Sequence, residues 1–113
     1  VPLGPFFTEQ VSKFADRPLL RVPEERVDWT WSETKQQVDL VAMGLLDCGY
    51  EKGDRLAVWM HSNSEWLILQ LATSTIGVIL VNLNPAYTAP EVRHALQDVA
   101  CKGLVLSRRD DDA

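Results

Sequence analysis

Residues 78–106 read VILVNLNPAYTAPEVRHALQDVACKGLVL, and they set the architecture of the chain. Val78–Leu83 and Leu104–Leu106 are short, nearly continuous apolar runs, which are typical of strands covered on both faces. Between them, Thr88-Ala89-Pro90-Glu91 has the Thr-x-x-Glu spacing of a capping box, so a helix is predicted to begin there. A strand, a helix and a strand in this order predict a right-handed crossover between parallel strands.

The preceding residues repeat this pattern. Arg55–Met60 form another apolar run, and a helix capped by Asn63 or Ser64 is predicted to follow it and to end near Gly77. The sequence therefore predicts an α/β fold. We expect a partial Rossmann-like unit of about three parallel strands with crossover helices.

The first half of the chain is predicted to add two helices and a small β-hairpin. Thr8 is the expected cap of a short first helix. Leu19–Val22 and Val27–Thr30, separated by a polar turn, predict the hairpin. A second helix is predicted to begin at Ser32 and to end at Gly49, because glycine readily adopts a left-handed conformation after a helix.

Length and composition limit the classes of function. The chain has 113 residues, 46% of them hydrophobic, and a net charge of −5. These values fit a single α/β domain, residues 1–107, followed by an acidic tail, residues 108–113. The adjacent basic pair Arg108-Arg109 lies beside that tail, and no basic stripe exists elsewhere, so no nucleic-acid partner is predicted. No apolar run approaches the roughly 20 residues that span a bilayer, so the chain by itself is not predicted to be transmembrane.

Residues that carry chemistry are sparse. The six glycines form neither GxGxxG nor GxxxxGK[ST], so no loop is predicted to surround a phosphate with backbone amides. Cys48 and Cys101 are far apart in sequence and are predicted to be free thiols. His61 and His94 lack a neighbouring triad pattern, and residues 110–112, all Asp, fit a solvated tail better than a metal site. The tryptophans are predicted to pack in the core: Trp29, Trp31, Trp59 and Trp66.

Several short motifs, taken in order, resemble those of a known family. They are Lys52-Gly53-Asp54-Arg55 before a strand, Asn63 with Glu65-Trp66, Asn84-Pro85-Ala86-Tyr87-Thr88 after a strand, and Cys101-Lys102 before Leu104-Val105. From about Phe6 to Ser107, the chain resembles the N-terminal region of acyl-CoA synthetases of the adenylate-forming (AMP-binding) superfamily. It is most similar to medium-chain fatty acyl-CoA ligases of the mitochondrial type. The resemblance implies a truncated N-terminal portion of the adenylate-forming fold and a mitochondrial location.

The resemblance carries no catalytic residue to this chain. Members of the family use ATP, Mg²⁺ and CoA, but their phosphate loop, their adenine and ribose contacts and their catalytic lysine lie beyond the segment that matches. We therefore expect no catalytic, cofactor-binding or metal-binding residue and no cofactor for this chain by itself. In the family, the loop that resembles Asn84–Thr88 lies toward the CoA side of the large domain. Because Pro85 and the capping box explain the same residues as a strand-to-helix turn, we favour the structural interpretation.

Two hypotheses of different classes follow from the resemblance. In the first, the chain is a non-catalytic, acyl-CoA synthetase-like accessory subunit of a larger, mitochondrial assembly. Other protein subunits would then cover its truncated sheet edge and its apolar face. In the second, it is the N-terminal fragment of an active ATP-dependent medium-chain fatty acyl-CoA ligase. The first is favoured because the stated full chain is 113 residues long, and the reading frame after Ala113 distinguishes the two.

Overall fold

The computed structural model describes residues 3–60 and 63–106, and their fold belongs to the α/β class, as predicted. The elements in chain order are α1 (Leu3–Phe14), β1 (Pro18–Val22), β2 (Val27–Thr30), α2 (Trp31–Asp47), β3 (Arg55–Trp59), α3 (Ser64–Ile76), β4 (Ile79–Asn82), α4 (Ala89–Val99) and β5 (Gly103–Leu106). One turn of 3₁₀ helix, Pro23–Glu25, joins β1 to β2. The predictions for His61, Ser107, the Arg108-Arg109 pair and the acidic tail lie outside the described residues.

The three predicted crossover strands form one parallel sheet in the order β4-β3-β5. Leu56 of β3 pairs with Leu80 on one side and with Gly103 on the other. The hairpin is also confirmed, because β1 and β2 pair in the antiparallel sense. The central strand is thus flanked by partners that come later in the chain.

The side chains of β3 alternate between two apolar layers. Leu56 and Val58 face a cluster that contains Leu69 of α3, whereas Ala57 faces a cluster that contains Val92 of α4. All five residues are buried. Because the strand is covered on both faces, its near-continuous apolar run is the pattern expected of a central parallel strand.

The prediction that Val78–Leu83 is buried along its length was wrong. Val78 and Leu83 are buried, but Ile79 is 47% exposed, and the other residues of β4 are exposed or half-buried. The reason is strand order: β4 lies at an edge of the described sheet and has a neighbour on one side only. An apolar run predicts that a strand forms, whereas the burial of that strand depends on the elements that lie beside it.

The first helix begins earlier than predicted, and Thr8 is not its cap. The Thr8 hydroxyl lies inside α1 and donates to the Gly4 carbonyl at 3.1 Å. Helix α1 begins at Leu3, and Gly4 and Phe7 are its buried residues. A Cβ at Gly4 would stand 3.1 Å from the Cα of Thr75, so glycine permits close packing of α1 on α3.

Most other helix ends follow the predicted capping chemistry. A reciprocal capping box joins Thr88 and Glu91 at the start of α4, and the Asn63 side chain caps α3. Helix α2 begins at Trp31, one residue before the predicted Ser32, and its cap is Thr30, because the Thr30 hydroxyl and the Glu33 carboxylate form a second capping box. The predicted tryptophan packing is confirmed: Trp29, Trp31, Trp59 and Trp66 all pack against buried clusters.

Candidate functional site

The carboxyl edge of the parallel sheet is the first place to look for a site, because open α/β sheets bind ligands outside the carboxyl ends of their strands. Here the polar side chains near that edge bond to one another or to nearby backbone. The Trp66 indole N–H donates to Oδ1 of Asn82 at 2.7 Å, and Oδ1 of Asn63 accepts from the Trp66 backbone N–H at 2.8 Å. These hydrogen bonds hold the start of α3 to the end of β4, so the side chains that form them have a structural role.

The Asn84–Thr88 loop is a turn followed by a helix cap, as the sequence predicts. Oδ1 of Asn84 accepts from the Ala86 N–H at 2.9 Å, and the Tyr87 N–H donates to the Asn84 carbonyl at 3.0 Å. The pKa of Glu91 lies below its ordinary value because its carboxylate accepts from the Thr88 backbone N–H and, next, from the Thr88 hydroxyl. Local hydrogen bonds therefore account for the polar residues of the loop. Its orientation toward CoA stays an expectation from the family.

An apolar hollow of about 270 Å³ opens beside the edge strand β5. Its walls come from the hairpin, from α2, from α3 and from the ends of β3 and β5. The lining residues are Trp29, Gln37, Val41, Met60, Ser64, Glu65, Ile68, Leu69 and Val105. None of them is a cation, and Glu65 is acidic, so the hollow is unsuited to a carboxylate or phosphate and suits apolar side chains.

The opposite, amino edge of the sheet carries a cluster of charged groups around Lys102. Its Nζ donates to the Gly49 carbonyl at 2.6 Å and to Oδ2 of Asp54 at 3.0 Å, and it lies 5.3 Å from the centroid of the Tyr50 ring. Gly49 comes just after Cys48, the C-cap of α2, so Lys102 satisfies a carbonyl beside a helix C-terminus. The cluster ties α2 to the sheet.

Ionisation in this cluster follows from the same contacts. The pKa of Asp54 is lowered first by the hydrogen bond from the Glu51 backbone N–H and then by the one from Lys102. Burial raises the pKa of the Tyr50 hydroxyl, with Lys102 acting in the opposite direction. Burial also raises the pKa of the Cys101 thiol. A protonated, partly buried thiol is a poor nucleophile, so Cys101 is not activated for chemistry.

The remaining residues that sequence patterns singled out are not assembled into a reactive centre. His94 is exposed, and its Nε2 lies 3.1 Å from Oδ2 of Asp98 one helical turn away. Cys48 and Cys101 are free thiols, as predicted. In residues 3–60 and 63–106, no three His, Cys, Asp or Glu side chains come together in a way that could hold a metal ion. Over the same residues, no helix has the length and apolar character that a membrane span requires.

Comparison with known sequences gives consistent matches along almost the whole chain. The sequence model of the AMP-binding enzyme family matches residues 7–113. The mitochondrial medium-chain acyl-CoA ligase ACSF2 of Mus musculus is 37% identical over 107 residues, and that of Homo sapiens is 39% identical over 107 residues. Each match covers 95% of this chain but 17% of the relative. Acyl-CoA ligase sidI of Aspergillus fumigatus is 34% identical over 109 residues.

Solved structures share the fold. The N-terminal domain of FACL13 from Mycobacterium tuberculosis superposes with a TM-score of 0.89 at 24% identity, covering 93% of this chain and 26% of that one. The fused adenylation-PCP di-domain NpsA-ThdA from Klebsiella oxytoca superposes with a TM-score of 0.86 at 23% identity, covering 95% and 20%. In both, the equivalent residues are a minor part of a longer chain.

Proposed function

Because the chain belongs to the AMP-binding enzyme family, we propose that it forms the N-terminal structural unit of an ATP-dependent acyl-CoA ligase. We propose further that the substrates are medium-chain fatty acids and that the location is mitochondrial. Support comes from the relatives named as mitochondrial medium-chain acyl-CoA ligases at 37% and 39% identity. In this proposal, the unit contributes scaffolding, and the groups that bind ATP, Mg²⁺ and CoA come from other parts of the enzyme.

The observation that carries the proposal is the surface left open beside β5. Val105 of that strand lines the 270 Å³ apolar hollow, and Leu106 at its end is 58% exposed. Within the described residues, β5 pairs with β3 alone, so its other side offers unpaired N–H and C=O groups. An apolar hollow next to a free strand edge is the kind of surface that further polypeptide covers.

The same surface favours one alternative function. If the covering polypeptide is a separate protein, this chain is a non-catalytic accessory subunit of a larger assembly. Both proposals place the covering polypeptide beside β5. They differ in whether that polypeptide belongs to the same chain or to a separate protein. They therefore require an experiment on the native protein.

The experiment is to isolate, from native tissue, the polypeptide that contains these residues and to measure its mass and activity. The ligase proposal predicts a chain much longer than 113 residues that forms medium-chain acyl-CoA from ATP, CoA and the free acid. The accessory proposal predicts a chain near 12.7 kDa that co-purifies with partner proteins. A monomer near this mass, stable without partners and inactive, would contradict both.

A pair of lysine substitutions tests the position of the cover. Leu106→Lys places a charge at the open edge, whereas Leu40→Lys places one on an α2 position that is 63% exposed. Because Leu106 is already exposed, its replacement should leave this unit folded while impairing activity or assembly more strongly than Leu40→Lys does. Equal effects of the two substitutions would show that the β5 edge is not covered.

A further inference from the structure

The tip of the hairpin is attached to the rest of the molecule differently from its base. At the base, backbone hydrogen bonds join Trp31 N–H to the Arg17 carbonyl at 3.0 Å and Ser32 N–H to the Ala15 carbonyl at 3.1 Å. The tip, residues 22–27, contains the 3₁₀ turn Pro23–Glu25, followed by Arg26 in the left-handed conformation with φ of 57°. The left-handed residue turns the chain sharply and leaves the tip projecting.

The Glu25 carboxylate joins this tip to the first residue of α3. Its two oxygens lie 3.3 and 3.4 Å from the Ser64 backbone N–H, and the Ser64 hydroxyl donates to one of them. Ser64 is 4% exposed, so its donors are removed from bulk water. First-turn N–H groups have no partner inside a helix, and the helix dipole favours a carboxylate there.

No other side-chain hydrogen bond or ion pair among the described residues joins the tip, residues 22–27, to another element. Beyond Glu25, the main anchor of the tip is the buried side chain of Val27. Polar attachment of the tip thus depends on one carboxylate.

This contact lies at the wall of the apolar hollow. Ser64 lines the hollow from α3, and Trp29 of β2 lines it from the hairpin side. The hairpin is short, so the position of its tip and the position of the Trp29 ring are coupled through β2. The Glu25–Ser64 contact and the Trp29 ring therefore lie at the same hollow, one on each side of the junction between the hairpin and α3.

We propose that Glu25 is a positioning residue that fastens the hairpin tip to α3 and thereby holds Trp29 as a wall of the hollow. The hairpin is a flap whose base is fixed by backbone hydrogen bonds and whose tip opens when the Glu25–Ser64 contact is broken. This device is independent of the ligase proposal, because it concerns the shape of the hollow and not what covers it.

The test is hydrogen exchange in the full polypeptide that contains these residues, comparing Glu25→Gln with Glu24→Gln. Glu24 is the matched control because it is exposed in the same turn and makes no side-chain hydrogen bond with a described residue. We expect Glu25→Gln to accelerate exchange of the tip amides, those of residues 22 and 24–27, by about tenfold, the effect of losing a hydrogen bond to a charged group at a partly exposed site. The Trp29 indole resonance should shift in the same variant, and Glu24→Gln should change neither.

Ser64→Ala supplies the second arm. If Glu25 and Ser64 act as one contact, the double variant exchanges no faster at the tip than the faster single variant. Three results would overturn the proposal. The first is equal exchange at the tip in Glu25→Gln and Glu24→Gln, and the second is a double variant in which the effects of Glu25→Gln and Ser64→Ala on the exchange rate multiply. The third is acceleration of exchange that is spread equally over α2 and β3. The last would mean that Glu25 supports global stability rather than the position of the flap.

Discussion

Replacing Gly103 by alanine is expected to destabilise the fold because Tyr50 occupies the space that the methyl group needs. Gly103 begins β5, and a Cβ built on it would lie 2.2 Å from the Tyr50 Oη. The next atoms, Tyr50 Cζ and Leu56 Cδ1, are at 3.5 and 3.6 Å, which are ordinary contacts. The whole conflict thus comes from one oxygen atom.

The size of the effect follows from that geometry. The Tyr50 oxygen must withdraw by roughly 1 Å to reach normal van der Waals distance, and this disturbs its contact with Lys102. Overpacking of this kind costs about 1–3 kcal/mol, against a gain of about 0.5–1 kcal/mol because alanine restricts the unfolded chain. A net loss of about 1–2 kcal/mol should lower Tm by roughly 5–10 °C.

The assay is urea unfolding followed by circular dichroism, with two companion variants. In a Tyr50→Phe background the clashing oxygen is gone, so Gly103→Ala should be neutral or slightly stabilising. Gly44→Ala is the control: nothing lies within 4 Å of its Cβ position in α2, so it should stabilise by about 0.5–1 kcal/mol. Equal destabilisation by Gly103→Ala with and without the Tyr50 hydroxyl would refute the steric argument.

Three further expectations concern the helix cap, acid stability and ligands. Thr88→Ala should cost about 1 kcal/mol in urea unfolding, whereas Thr88→Ser should retain most of the cap; equal losses would argue against the capping role. Because the fold lowers the pKa of Asp54 from its ordinary 3.8, its ionised form contributes stability above that pH, and the contribution disappears as pH falls through the lowered value. Asp54→Asn should therefore reduce stability at neutral pH and flatten its decline below about pH 4, and an unchanged acid-unfolding curve would contradict this. Calorimetric titration of the isolated chain with Mg-ATP or with CoA should detect no micromolar binding, since the sequence lacks a phosphate-cradling loop; such binding would reveal an unrecognised site.

The parts of the fold that local chemistry determines were predictable from the sequence. The apolar run around Val58 predicts a strand covered on both faces, and Thr88 with Glu91 predicts a helix start, because each signal depends on residues within a few positions. The structure confirms both. The failures have a different origin. Thr8 looks like a cap, but α1 begins earlier because Gly4 packs against the backbone at Thr75, a contact between distant segments.

Other features depend on tertiary arrangement alone. Ile79 is exposed because of strand order, which no local pattern of β4 encodes. The contact between Glu25 and Ser64 joins positions 39 residues apart, and neither residue belongs to a spacing motif. The apolar hollow likewise forms where five elements meet. Sequence reasoning could reach the family and the crossover unit, but not these contacts between distant segments.

The central position of β3 governs the order in which the sheet can form during synthesis. Leu56 pairs with Leu80 on one side and with Gly103 on the other, and the ribosome makes both partners after β3. A nascent chain that ends at residue 60 therefore carries the strand that is most buried in the fold with no native strand to pair with. Pairing between distant segments slows folding and prolongs the exposure of apolar strands to aggregation. The helices can form as they emerge, but β3 gains its second partner only when Leu104 and its neighbours have been made, so synthesis of β5 sets the time at which both edges of β3 are covered.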